Sequence, residues 1–185
     1  MPDTTSLPRL HQNYFELLAM PVGYSIDLAL LDQHYRKLQS EVHPDRFVAA
    51  SSADQLQSIQ LATVVNDAYR TLKNPTTRAR YLLQLQGIET LEESNTAMPA
   101  DFLMLQMEWR EAAEDAEAAH DISALETLIA EIDRLSKELQ ATLADALASQ
   151  ATWTDAAETV RKLSFIDKVR ADITQTVETL ENAAI

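Results

Sequence analysis

Residues 27–47 read DLALLDQHYRKLQSEVHPDRF. Leu28, Leu31, Tyr35, Leu38 and Val42 recur at steps of three and four, which lays one apolar stripe along a helix. Asp27 stands where a capping carboxylate belongs, able to accept from the free amides of the first turn. The helix is expected to end at Pro44, because a proline pushes the residue before it out of the helical region. A loop is expected next, with His43-Pro44-Asp45 at its start, in which proline fixes the backbone and its neighbours offer an imidazole and a carboxylate. Arg36 and Lys37 lie off the apolar stripe and Arg46 comes directly after the tripeptide, so the turn sits in a small basic neighbourhood.

Working outward, Asn13–Ala19 reads as a short helix stopped by Pro21 and Gly23. Downstream, Ser52 and Gln55 have capping-box spacing. The helix they open carries Leu56, Ile59, Ala62, Val65, Tyr69 and Leu72, and it is expected to lie antiparallel to the helix before the turn. Asn74 and Pro75 look like the cap and first position of a fourth helix, with Gly87 as its stop. Residues 88–98, IETLEESNTAM, keep no periodicity and read as a linker or loop. Pro99 then opens a helix to about Ala119. Asp121 caps another, with Leu125, Leu128, Ile132, Leu135 and Leu139 inward. Trp153 begins a last one with Val160, Leu163, Ile166, Ile173, Val177 and Leu180. Three long helices suggest an antiparallel bundle. No stretch alternates as a strand does, and no repeat of 20–50 residues occurs. The expected architecture is all-α in two parts.

Composition narrows the chemistry. The chain has 185 residues, 46% hydrophobic, enough for packed cores. Its two glycines, Gly23 and Gly87, are too far apart for a phosphate-cradling loop. With no cysteine there is no disulfide, thiolate zinc site, thiol nucleophile or cluster ligation by this chain's own thiolates. His11, His34, His43 and His120 are scattered and form no metal-binding pair, so neither metal nor cofactor is expected. A His–Asp dyad needs a positioned nucleophile and an oxyanion hole. Ser40, Ser51 and Ser52 read as helix and cap residues, so no catalytic residue is expected. Apolar runs such as Phe102–Leu105 are far short of a membrane span, and Met1–Leu10 has no basic region followed by an apolar core. A soluble cytoplasmic protein is the expectation.

The charge is unevenly placed. Residues 1–87 hold eight basic and eight acidic residues. Residues 88–185 hold seven basic against 21 acidic, which accounts for the whole net charge of −14. This supports two modules joined near Gly87 and argues against nucleic acid, which the acidic half would repel. The acidic surface serves either solubility or the steering of a partner.

The helix from Pro99 is apolar on two sides. At 100° per residue, Phe102, Leu105, Trp109, Ala112, Ala113, Ala116 and Ala119 share a core face. Leu103, Met104 and Met107 point the other way, with Glu111 among them and Glu108 at the edge. Phe165 lies roughly 90° off the stripe of its own helix. These residues either close the bundle or pack against the first module, or they lend an adaptable methionine-rich face to a partner.

The spacing from His43-Pro44-Asp45 to Val65-Asn66-Asp67-Ala68-Tyr69, and on to Leu72, Pro75, Arg78, Arg80 and Tyr81, resembles a J-domain over residues 11–86. The resemblance implies that His43, Pro44 and Asp45 contact a DnaK-type chaperone and stimulate its ATP hydrolysis. The basic helix at Arg36 and Lys37, with Arg46, would dock on that chaperone's acidic side. Further blocks widen the match. Asn13-Tyr14-Phe15-Glu16-Leu17, His43-Pro44-Asp45-Arg46-Phe47, Arg78-Ala79-Arg80-Tyr81-Leu82-Leu83, Phe102-Leu103-Met104 with Glu108-Trp109-Arg110-Glu111, and Trp153 with Thr159-Val160-Arg161-Lys162-Leu163 through Phe165-Ile166-Asp167-Lys168 are together similar to the HscB family. They run from near the start of the chain to Lys168.

HscB proteins are J-type co-chaperones of iron–sulfur cluster biogenesis. The resemblance implies a J-domain (residues 11–86, a helical hairpin with short helices), a linker (87–98) and a C-terminal three-helix bundle (99–183). It implies two partners, an HscA-like DnaK-type chaperone and an IscU-like cluster scaffold. The expected scaffold contact is Leu103, Met104, Met107, Glu108, Glu111 and Phe165. The chain would then be an ATPase activator and not itself an enzyme, acting without nucleic acid or membrane. The alternative is a general J-domain co-chaperone or adaptor with another client. Met107 stands where leucine is expected, a volume-tolerant change. Arg46 stands where J-domains often have lysine, and the charge is kept. Lacking cysteine, the chain has no counterpart of the zinc-binding extension of some eukaryotic members and resembles a bacterial form. Residues 1–10 match nothing.

Overall fold

The structure, a computed structural model, describes residues 12–90 and 98–183. Residues 1–10, the expected module start at residue 11, and residues 91–97 of the expected linker lie outside these. Every regular element among the described residues is helical. The α-helices are α1 (Tyr14–Leu17), α2 (Leu28–Val42), α3 (Ser52–Lys73), α4 (Pro75–Leu85), α5 (Ala100–Ala118), α6 (Ile122–Ala146) and α7 (Trp153–Ala183). Short 3-10 turns at Pro44–Phe47 and Gln150–Thr152 join them. The fold is all-α, a helical hairpin with short helices followed by a three-helix bundle. Two compact units divide inside α4, between Leu82 and Leu83.

In the first unit α2 and α3 form an antiparallel hairpin. Asp27 caps α2 as expected, its Oδ1 accepting from the amides of Ala29 and Leu30 at 2.9 and 3.1 Å. The core gathers Phe15, Leu18, Leu31, Val42, Leu61, Val65, Ala68 and Leu72. Each large apolar side chain among them, fully buried, contributes roughly 1.5–3 kcal/mol relative to exposure. A polar clasp closes the middle of the hairpin. The Tyr35 and Tyr69 rings stack at 3.9 Å, and the Tyr35 hydroxyl donates to Asn66 at 2.9 Å. The Tyr69 hydroxyl donates to Asp32 at 2.8 Å, and Lys73 reaches both Tyr69 and Asp32. This hydroxyl first, and Lys73 after it, hold the Asp32 carboxyl below its ordinary range. Tyr14 stacks on Tyr81 at 4.5 Å, and its amide donates to the Tyr81 hydroxyl at 2.9 Å.

Two expectations for α3 are corrected. Its cap is Ser51, not Ser52. The Ser51 hydroxyl accepts from the Asp54 amide and donates to the Asp54 carboxylate, while Gln55 turns back to the carbonyls of Val48 and Ala50. The buried stripe is Ser58, Leu61, Val65, Ala68 and Leu72, so Leu56 and Ile59 face solvent. Polar Ser58 hid the true register: its hydroxyl is buried because it serves a backbone carbonyl. Leu28, at the first turn of α2, is also exposed, and α1 is shorter than Asn13–Ala19.

In the second unit α5 packs on α6 and α7, which run antiparallel and are clasped by Arg170 Nε on Asp133 at 2.5 Å. The core holds Phe102, Trp109, Ala116, Leu125, Leu128, Ile132, Ile166, Ile173 and Val177. The inward face of α5 is narrower than its alanines suggest, since Ala112 and Ala119 are exposed. Alanine is too short to report which side of a helix is covered. Asp121 caps α6 through the Ala124 amide at 3.0 Å, and Pro99 precedes α5 with no side-chain cap.

Helix ends repeat one device. At α4 the amides of Gly87 and Ile88 donate to the carbonyls of Gln84 and Leu83, with Gly87 at φ 77°. The same paired bonds close α1 through Ala19 and α5 through His120, at φ 50° and 55°. This is the Schellman arrangement, which glycine enters without strain and the other two do not. No helix among the described residues is long and apolar enough to cross a membrane.

Candidate functional site

The turn after α2 is built from both sides. His43 is the C-cap of α2, extended at φ −60° and ψ 129°, and Pro44 opens the 3-10 turn. The imidazole Nδ1 accepts from the Asp45 amide at 3.3 Å. Asp45 Oδ2 lies 3.6 Å from the same Nδ1. The two contacts are alternatives, since accepting needs a bare nitrogen and ion pairing needs a proton there. In the capped form Nε2 carries the proton. Both side chains remain open to solvent. The Arg46 amide donates to the His43 carbonyl at 3.0 Å, and its guanidinium reaches the Ser40 carbonyl at 3.4 Å.

Arg36 and Lys37 are exposed on α2, Arg36 Nε donating to the Asp32 carbonyl at 3.1 Å. The structure thus supplies a hydrogen-bonded turn, two presented side chains and a nearby basic stripe. Ser58, which no motif in the sequence marks, belongs to this turn as well. Its buried hydroxyl donates to the Val42 carbonyl at 2.8 Å, tying the residue before His43 to α3. The signal available was a lone serine in step with Leu61, Val65, Ala68 and Leu72.

The second surface is on α5. Leu103, Met104 and Met107 are 44%, 63% and 72% exposed, and Glu108 and Glu111 are exposed beside them. Phe165 differs. It is half-buried and packs against the bundle core, its ring edge-on to Phe102 with centroids 6.0 Å apart and planes at 79°. It therefore sits at the edge of the core, against the inward-facing Phe102 of α5. Lys162 also belongs to this region and was not anticipated. Its ammonium lies 6.0 Å from the Phe102 ring centroid and pairs with Glu158 at 2.7 Å. A patch of flexible thioethers flanked by carboxylates suits the docking of another protein. Among the described residues no group of three or more His, Asp or Glu is placed to hold a metal ion.

Comparison with known proteins places the chain among co-chaperones. The family model described as HSCB C-terminal oligomerisation domain matches residues 98–174. A co-chaperone protein HscB homolog from Azoarcus sp. (strain BH72) is 46% identical over 173 residues, covering 94% of this chain and 98% of that protein. Its counterpart from Burkholderia vietnamiensis (strain G4 / LMG 22486) is 46% identical over 175 residues, covering 93% and 98%. Chaperone HscB from Vibrio cholerae superposes with a TM-score of 0.79 at 40% identity, covering 91% of this chain and 99% of that one. Human co-chaperone protein HscB gives 0.82 at 31% identity, covering 91% and 83%.

Proposed function

This chain belongs to the HscB family of co-chaperones, and we propose that it delivers an IscU-like iron–sulfur scaffold to an HscA-like DnaK-type chaperone and stimulates that chaperone's ATPase. The observation that carries this reading is the His43-Pro44-Asp45 turn. Its backbone is fixed by proline and by the Ser58 anchor, while its imidazole and carboxylate stay exposed. Side chains so held cost little further ordering on docking. The proposed division of labour gives the J-domain residues 11–86, a linker residues 87–98 and the scaffold-binding bundle residues 99–183. Arg36, Lys37 and Arg46 meet an acidic face of the chaperone. Leu103, Met104, Met107 and Phe165 receive the scaffold, with Glu108 and Glu111 at the rim.

The chain supplies no chemistry of its own in this scheme. Joining two docking surfaces in one molecule raises the scaffold's effective concentration at the chaperone, which couples delivery to hydrolysis. The site of action is the cytoplasm.

The test is steady-state ATPase of the chaperone with this protein, with and without the scaffold, beside His43→Gln. Stimulation that needs both proteins and vanishes in the variant supports delivery. Stimulation indifferent to the scaffold keeps the turn's role but assigns another client. Replacing Leu103, Met104 and Phe165 by alanine is expected to weaken scaffold binding by about tenfold or more in calorimetry. Unchanged affinity in a folded variant removes the patch from the interface.

A further inference from the structure

The turn does not stand alone on its end of the hairpin. Val48, Leu56 and Ile59 are 73%, 58% and 51% exposed. Leu56 and Ile59 are three apart on α3 and therefore neighbours on its surface. Gln55 donates to the Val48 carbonyl at 3.0 Å, which fastens the segment after the 3-10 turn to the first turn of α3. Ser58, adjacent to Ile59 in the chain, is the residue anchored on Val42, just before His43. The three apolar side chains thus belong to the same braced end as the tripeptide. From Phe47 to Ala53 no residue is charged, whereas Arg46 precedes the segment and Arg36 and Lys37 lie on α2.

We propose that Val48, Leu56 and Ile59 form an apolar lip that the DnaK-type chaperone covers when it docks on the tripeptide turn. This deepens, and rests on, the reading of that turn as the chaperone contact. The neighbours set the occupant's chemistry: an acidic stretch for Arg36, Lys37 and Arg46, continuous with an apolar segment for the lip. A second copy of this chain is the poorer occupant, because laying the face on itself brings the basic residues of both copies together. The turn steers and stimulates, and the lip adds affinity that salt does not screen.

The decisive experiment titrates chaperone ATPase with the full-length protein carrying Val48→Ser, Leu56→Ser and Ile59→Ser together. All three side chains are exposed, so the fold is expected to hold, checked by circular dichroism, with the single Ile59→Lys as a second variant. The half-saturating concentration is expected to rise about tenfold at unchanged maximal stimulation. His43→Gln is expected to lose the maximum instead. An unshifted half-saturation in both lip variants, with His43→Gln inactive, overturns the lip and leaves the turn's role standing. A lowered maximum without a shift also overturns it. Loss confined to scaffold affinity, or a change in self-association by sedimentation, reassigns the surface and overturns the proposal. If the unaltered protein stimulates no chaperone, the reading of the turn falls and the lip with it.

Discussion

At the scale of single residues, the informative side chains are polar ones in unexpected places. Ser58 occupies a core position that an aliphatic residue would fill more favourably, and it does so to satisfy the Val42 carbonyl at the open end of α2. Ser58→Ala leaves that carbonyl buried without its partner. It is expected to cost about 1–3 kcal/mol in chemical denaturation and to raise hydrogen exchange at the amides of Asp45 and Arg46. Normal exchange there would show that the turn holds itself. Asp32 sets a pH limit on the same hairpin. Its folded pKa lies below the ordinary 3.8, chiefly through the Tyr69 hydroxyl and then Lys73. A depressed carboxylate adds stability that is present above the unfolded value and is lost as pH falls through the folded one. Urea midpoints for the native protein are therefore expected to drop below about pH 4 more steeply than for Asp32→Asn, the two curves converging in acid. Parallel curves would assign the acid limb to other carboxylates.

At the scale of elements, the sequence is most legible where caps and periodicity agree. Asp27, Asn74, Asp121 and Gly87 each stand at a helix end, and α6 keeps the spacing read from Leu125 to Leu139. Legibility fails where periodicity is carried by residues that do not report burial. Ser58 disguised the stripe of α3, so Leu56 and Ile59 were misplaced inward. The alanines of α5 widened its inward face on paper. The patch of Leu103, Met104 and Met107 is legible as a second apolar face, and Phe165, roughly 90° off its stripe, is half-buried as that angle implies; its edge-on partner Phe102 is what one helix's periodicity does not contain. Helix termination was the other blind spot. His120 and Ala19 enter the left-handed region that glycine fills at Gly87. His120→Gly removes a side chain that is strained at φ 55° and exposed, with only a 3.4 Å contact to the Ala118 carbonyl. It is expected to stabilise the second unit by about 1 kcal/mol, read as a higher melting temperature. A destabilised variant would show that the imidazole contributes more than the backbone strain costs.

At the scale of the whole molecule, the division of charge distinguishes the two proposed docking surfaces. The first 87 residues are neutral overall yet carry an exposed basic stripe, while the remainder holds the net −14. In the proposed scheme Arg36, Lys37 and Arg46 steer the chaperone through solvent, where added salt shortens the reach of the field from about 10 Å at 0.1 M to about 3 Å at 1 M. The proposed scaffold contact at the exposed Leu103, Met104 and Met107 would instead work through burial, which ordinary salt leaves nearly intact. Chaperone half-saturation is therefore expected to rise several-fold between low and high salt, and Arg36→Ala with Lys37→Ala to weaken docking at low salt and flatten that dependence. Scaffold affinity, measured by calorimetry over the same range, is expected to change less, its apolar centre being indifferent to ionic strength. The double variant should leave scaffold affinity unaltered at every salt concentration. If instead the scaffold responds as steeply as the chaperone, Glu108 and Glu111 are steering charges in their own right, and the second surface is electrostatic at its centre and not only at its rim.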